Sequence, residues 1–116
     1  MKKNYKNQFG EKLIVKEKGK VHQIDLTQIS HIESEGHIST INTITSEKIS
    51  LYKLLKFFED ELTENGFFRV NRKTLINLNN MILYKKSNGK PIVKLVNNIE
   101  IPIARRRLSE LINILN

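Results

Sequence analysis

The stretch 67-FFRVNRKTLINLNN-80 decides how this chain is read. Phe67, Phe68, Val70, Leu75, Ile76 and Leu78 run through it as core or near-core residues. Three cations, Arg69, Arg72 and Lys73, are threaded among them, and Asn77, Asn79 and Asn80 close the run. The apolar residues anchor the segment, which leaves Arg72 and Lys73 held outward from that anchor. Arg69 is displayed around the core with them, but between Phe68 and Val70 on an expected strand it is the cation most open to being packed or solvated instead. Asn77 and Asn80 suit turns, where a short amide side chain bonds nearby backbone.

Outward from this stretch, the pattern is mostly that of short strands. Upstream, 11-EKLIVKEKGKVHQIDL-26 reads as a hairpin around a KGK turn, with Gly19 free to take positive φ. The segment 29-ISHIESEGHISTINTIT-45 is rich in Ile and Thr, which suit a half-buried pleated surface, and Glu35-Gly36-His37 reads as a tight loop between two strands. The period changes at 51-LYKLLKFFEDEL-62, where Leu51, Leu54, Leu55, Phe58 and Leu62 form one helical face. Ser50 is the expected N-cap and Asn65-Gly66 the expected stop. Downstream, 81-MILYKKSNGKPIVKLV-96 reads as a second hairpin with an Asn-Gly turn. A short strand, 97-NNIEIPI-103, follows, with Ile99, Ile101 and Ile103 on one face and Pro102 favouring a sheet edge. Leu108, Leu111, Ile112 and Leu115 mark a C-terminal helix. Short turns between strands imply antiparallel pairing, since parallel pairs need long crossovers.

Length and charge bound the function. A chain of 116 residues fits one domain, here read as residues 10–116 after a polar tail or linker remnant at 1–9. There is no cysteine, which removes disulfides, thiolate metal sites and cysteine nucleophiles and is compatible with a reducing cytoplasm. No apolar run approaches the roughly 20 residues of a membrane span, and MKKNYKNQFG has no apolar continuation that would make it a signal peptide. The net charge is +8, unevenly spread. Residues 21–68 carry three cations and eight anions, whereas residues 69–107 carry ten cations and one anion. A one-sided basic block is the electrostatic footprint of a nucleic-acid binder.

Catalysis finds no support. Glu33 and Glu35 share a strand face without a third group that would make them an acid/base pair. His22, His31 and His37 lack metal-ligand spacing, and no glycine-rich phosphate loop or nucleophile elbow is present. No enzyme activity, metal or cofactor is expected. Two features do suggest recognition. His37 lies beside Gly36 at a loop tip, either solvated or presented to a ligand. Arg105, Arg106 and Arg107 precede the last apolar helix face, where cations oppose the macrodipole at a cost of about 0.3–1 kcal/mol each. Arginine's planar fork can grip guanine or phosphate in return.

At this point four segments, 29-ISHIESEGHISTI-41, 50-SLYKLL-55, 66-GFFRVNRKTLINL-78 and 101-IPIARRR-107, resemble the LytTR DNA-binding domain of bacterial transcription and response regulators. The resemblance spans residues 11–115 and is most specific in the GFFRV…LIN element paired with a downstream IP-x-x-R. It implies a mainly β fold, an elongated antiparallel β sandwich with one mid-chain helix and one short C-terminal helix. It also implies that loops, rather than a recognition helix, enter the DNA major groove. Carried over by position, the base-contacting residues are His37, Arg72 and Arg105. Arg69, Asn71, Lys73, Lys85, Lys86, Arg106 and Arg107 are the expected backbone-contacting or supporting residues. The usual His-Arg-Ser after FFRV is Asn71-Arg72-Lys73 here, and the usual Ser before Arg105 is Ala104, changes that point to altered sequence preference.

The reading is therefore a cytoplasmic, sequence-specific double-stranded DNA binder that regulates transcription. By analogy with the family, it is expected to be a monomer in solution and paired on direct-repeat promoter sites. If the chain is part of a longer one, a receiver domain or sensor kinase of a two-component system is expected upstream. The rival is a protein-interaction module that keeps the β core and turns its basic face to an acidic partner. Non-specific or single-stranded binding is less well served, because the loop cations are poorly interleaved with exposed aromatics.

Overall fold

The computed structural model describes residues 4–7 and 10–116, with side chains from Glu11 onward. Eleven strands among the described residues form three antiparallel sheets, joined by two α-helices. The first sheet holds β1 (Asn4–Asn7), β2 (Gly10–Glu17) and β3 (Lys20–Asp25), in that order. The central sheet has five strands: β4 (Ile29–Glu35), β5 (Ile38–Thr43), β6 (Lys48–Leu51), β7 (Phe67–Asn71) and β8 (Thr74–Asn77), ordered β6-β5-β4-β8-β7. The third contains β9 (Met81–Ser87), β10 (Lys90–Leu95) and β11 (Glu100–Pro102), ordered β11-β10-β9. Helix α1 (Leu55–Leu62) follows β6, and α2 (Arg105–Leu115) ends the chain. The mainly β, antiparallel, two-helix expectation holds.

The central sheet is buried on both faces, and the stretch 67–80 is the reason. Along β7, Phe67 faces one core and Phe68 the other; along β8, Leu75 and Ile76 divide the same way. The first core joins Phe67 and Leu75 to Leu13 and Val15 of β2, Ile24 of β3, Ile32 of β4, Ile41 of β5, and Leu55, Phe58 and Leu62 of α1. The second joins Phe68, Val70 and Ile76 to Val93 and Leu95 of β10, Ile101 of β11, Ile103, and Leu111 of α2. A strand with both faces covered reads as a continuous apolar run rather than an alternation, which is why FFRV and TLI resist a simple period-two pattern.

Both outer hairpins turn as their sequences require. Lys18 and Gly19 have φ of 47° and 79°, and Asn88 and Gly89 have φ of 54° and 79°. Two successive positive φ values match the right-handed twist of the flanking strands in a two-residue loop. The Glu35–Ile38 connection also turns at a left-handed glycine, Gly36. Pro102 lies on β11, an edge strand, where its missing N–H costs no ladder bond. The free edge at β9 carries Lys85 and Lys86, charges that discourage edge-to-edge pairing.

One expectation needs correction. The helix does not begin after Ser50, which lies in strand β6; it begins at Leu55 behind Leu54, with no side-chain cap. Lys48-Ile49-Ser50-Leu51 alternates polar and apolar, and β6 pairs with β5 across Thr40↔Ser50 and Ile41↔Ile49. Leu51 is buried in both readings, so its place on the helical face misleads. The expected stop is present: a 3-10 turn at Thr63–Asn65 ends on left-handed Gly66. The segment read as a polar tail also holds a short strand. Asn4–Asn7 pairs with β2 from Asn4↔Leu13 to Asn7↔Gly10, because backbone ladder bonds form whatever the side chains. Residues 1–3, 8 and 9 lie outside the described residues.

Asparagines tie the stretch to distant backbone. Buried Asn77 donates from Nδ2 to the carbonyls of Leu26 and Ile29, both at 3.0 Å, and accepts from the Asn79 N–H. Asn80 donates to the carbonyls of Thr27 and Ile29. The expected turn chemistry is there at Asn77, which caps the 3-10 turn Leu78–Asn80, whereas Asn80 bonds distant rather than nearby backbone; together they lock β8 to a 3-10 turn some fifty residues upstream. Asp25 caps that turn, and the hydroxyl and N–H of Thr27 hold its carboxyl below the usual carboxylate range.

Candidate nucleic-acid interface

Register brings the loops of interest to one end of the central sheet. Because β4 runs antiparallel to β8 with Glu33 opposite Thr74, the β4–β5 turn and the β7–β8 turn share that end. His37 tops the first turn and Arg72-Lys73 the second, and all three side chains are exposed. The β11–α2 junction reaches the same end through the free edge of β7, where the Ala104 N–H donates to the Val70 carbonyl at 3.0 Å. Arg105 and Arg106 follow, both exposed. The three positions singled out in the sequence thus stand side by side, although up to 68 residues separate them in the chain.

Direct bonds fix their spacing. The Ser34 N–H donates to the Lys73 carbonyl at 2.8 Å, joining the first tip to the second. Asn71 joins the second to the third: its Nδ2 donates to the Pro102 carbonyl at 2.8 Å, while its Oδ1 accepts the Lys73 N–H at 2.8 Å. Asn71 is therefore a staple, using donor and acceptor at once.

Arg69 shapes the second tip from below. Its Nη1 donates to Glu59 of α1 at 2.9 Å, its Nε to the Asn71 carbonyl at 3.2 Å and its Nη2 to the Arg72 carbonyl at 2.6 Å. The side chain is only partly exposed, and its planar fork is engaged on three sides. Arg69 is thus partly buried and bonded to the backbone of the second tip, while Arg72 is exposed.

The remaining cations divide. Lys86 is exposed on β9, while Lys85 pairs with Glu100 at 3.3 Å on the surface. Both approach the Arg105 end, since the Ile103 N–H donates to the Pro91 carbonyl beside the β9–β10 turn. Arg107 pairs with Glu110 of its own helix at 3.2 Å. Helix α2 follows Ala104, an N-cap without a side-chain bond, and has three arginines in its first turn, so the positive end of the dipole faces more positive charge. That concentration favours an anion in front of it.

Sequence reasoning misses a neighbour of His37. Tyr52, 80 % exposed, stands with its ring centroid 5.8 Å from the imidazole at 37°. It is held there because Ser39 Oγ donates to the Lys53 carbonyl at 2.7 Å. Placing Tyr52 inside a helix hides it; the alternation of residues 48–51 is the signal for a strand ending just before it. The other histidines are elsewhere: His22 lies 3.7 Å from Glu17, and His31 is buried in β4 beside Ser30. Among the described residues, no group of His, Cys, Asp or Glu could hold a metal ion, and no helix is long and apolar enough to cross a membrane.

Comparison with known proteins bears on the family and the fold. The family model described as the LytTr DNA-binding domain matches residues 19–116. The transcriptional regulatory protein NatR of Bacillus subtilis is 28 % identical over 78 residues, covering 67 % of this chain and 33 % of NatR. The matched region is thus about a third of that relative's length. A solved LytTr DNA-binding domain, from a Bacillus cereus protein described as a putative methyl-accepting/DNA response regulator, superposes with a TM-score of 0.75. That match covers 90 % of this chain and 96 % of the other at 15 % identity, a likeness of fold.

Proposed function

The chain belongs to the LytTR DNA-binding domain family, and from that premise we propose that it recognises a specific double-stranded DNA sequence through three loops set in the major groove, as the DNA-reading part of a transcriptional regulator. The observation that carries this reading is the bonded row of tips: His37, Arg72 and Arg105 share one end of the sheet and are spaced by the Ser34–Lys73, Asn71–Pro102 and Val70–Ala104 hydrogen bonds. Preorganised donors on rigid hairpins lose little entropy on binding.

Arg72 and Arg105 offer bidentate forks to guanine O6 and N7, and His37 a single donor or acceptor to a base edge or phosphate. Lys73, Lys86 and Arg106 supply phosphate contacts, which position without specifying. Asn71 and Arg69 act through the backbone they hold. Lys85 and Arg107 reach phosphate only by exchanging their present carboxylate partners, which solvent-exposed pairs do at small cost. Two copies on a direct repeat, a monomer in free solution, a receiver domain or sensor kinase acting upstream and a place in the cytoplasm complete the proposal.

The test is a titration of a duplex selected by the protein from a randomised pool, against a scrambled duplex, at two salt concentrations. A preference that survives competitor DNA, with a steep salt slope, is expected. Arg105→Ala should cost about 1–3 kcal/mol of binding and relax the preference at one base pair. Equal binding to both duplexes would turn the reading to non-specific association. A pool that yields no enriched duplex, with no binding to unselected DNA, would favour the protein-interaction alternative.

A further inference from the structure

The hairpin that ends at Lys18-Gly19 stands beside the row of tips, on the side away from Arg72. A cleft of about 550 Å3 separates it from the central sheet, lined by Lys16, Glu17 and Lys18 on one wall and by Ile38, Tyr52 and Lys53 on the other. Ile38 directly follows His37, and Tyr52 is the residue whose ring packs on the imidazole. Lys16, Lys18 and Lys53 are all exposed. Glu17 is the one anion lining this cleft, and it lies 3.7 Å from His22. Lys53 holds its ammonium over the Phe57 ring, 4.4 Å from the centroid, which steadies the cation without neutralising it. Exposed lysines on two walls, flanking a residue proposed to read a base, make a continuation of the same electropositive edge.

We propose that the DNA-binding surface has a fourth element, in which the Lys18-Gly19 hairpin tip and Lys53 grip backbone phosphates just outside the base pair at His37. This rests on the DNA-binding reading above and extends it. Lysine suits the task, since a compact ammonium on a flexible stem neutralises phosphate without demanding a fixed base sequence. Tyr52 is the positioning residue between the two parts: it holds His37 in line with the lysines. The footprint then continues beyond the base pair touched by His37, on the side opposite Arg105.

The experiment uses the whole chain and the duplex it selects from a randomised pool. The test variant is Lys16→Ala/Lys18→Asn/Lys53→Ala, with asparagine at 18 because that position has positive φ and asparagine tolerates it. Thermal melting checks that it folds. The expected result is a plot of log affinity against log salt that is shallower by about 2–3 units, at about 0.9 for each phosphate no longer neutralised, with base preference unchanged. Trimming the duplex on the His37 side should weaken the wild type and leave the variant unaffected. A second variant, Tyr52→Ala, should relax preference at the same base pair as His37→Ala, and the double variant should lose no more than either alone. An unchanged salt slope in a folded variant, with wild-type preference intact, overturns the fourth element and leaves the DNA-binding reading standing. If the pool yields no enriched sequence, the reading itself fails and takes the fourth element with it.

Discussion

On one face of the central sheet a hairpin ends at Lys18-Gly19; on the other, a hairpin ends at Asn88-Gly89. Both turn through two residues of positive φ, and each approaches the end of the sheet where the three tips stand. In the sequence they look unalike. The second lies in a block of ten cations and one anion, while the first is followed by a segment of three cations and eight anions. Folding redistributes that charge. Asp25 lies at the far end of β3 from the Lys18 turn, and Glu59 and Asp60 of α1 are taken up by Arg69 and Lys56. The charge of a stretch of chain is therefore a poor guide to the charge of a surface built from several stretches.

The two faces also differ in how firmly they are built, and the largest expected effects probe that. Phe58 of α1 is wholly buried in the first core, among side chains from two sheets. Phe58→Ala should destabilise by about 3–5 kcal/mol in chemical denaturation. Leu111→Ala in α2 should fall at the low end of about 2–5 kcal/mol, because Leu108 is only partly buried and Leu115 is exposed, which lets that helix settle. Equal losses would break the contrast.

Next in size is Arg69→Ala, which removes the brace between α1 and the second tip. A loss of about 1–3 kcal/mol of stability is expected, with weaker DNA binding and unaltered base preference. Glu59→Gln should shift binding the same way by less, and Arg72→Ala should leave stability alone. If Arg69→Ala changed the preferred base, Arg69 would be a reader rather than a support.

Smaller still is the helix start on the second face. Ala104 has the extended backbone of an N-cap but no side-chain acceptor, so Ala104→Ser should stabilise by about 1 kcal/mol. Arg106→Ala should stabilise by about 0.3–1 kcal/mol while weakening DNA binding at every sequence. A gain in stability coupled to a loss of affinity would mark the arginine cluster as held for its ligand. The uncapped start of α1 offers no such cluster, and the same capping change at Leu54 should leave DNA binding untouched.

The last prediction concerns pH. Burial lowers the His31 pKa, opposed by the nearby Glu33 carboxylate and aided by Lys48. The neutral ring is the form the fold prefers, so the unfolded chain binds more protons between the two pKa values. Stability should thus fall as pH drops below about 6.5, the ordinary histidine value. Thermal melting across that range should show the slope, and His31→Gln should flatten it.

Much of the scaffold is legible in the sequence. Turn chemistry at Gly19, Gly36, Gly66 and Gly89 locates the loops, because positive φ restricts the residues that can stand there. The motif around Phe67–Leu78 identifies the family, and the place of Arg69 between two apolar residues sets it apart from the other cations. The start of α1 is not legible, since Leu51 fits both a helical face and a strand. Nor is the role of Asn71. Its departure from the usual histidine suggests altered base preference, yet its side chain spans to Pro102, 31 residues away, and no local pattern encodes that bond.

By itself, the sequence determined what depends on neighbours along the chain: strand and turn alternation, the absence of thiol chemistry, and the residue types at three loop tips. Tertiary structure decided which tips stand together, which cations are engaged by carboxylates, and which lysines from outside the basic block stand beside the His37 tip. The physical reason is that hydrogen bonds such as Ser34–Lys73 and Asn71–Pro102, and the partly buried pairing of Arg69 with Glu59, couple residues through space. Their partners are chosen by sheet register, which only the folded chain possesses.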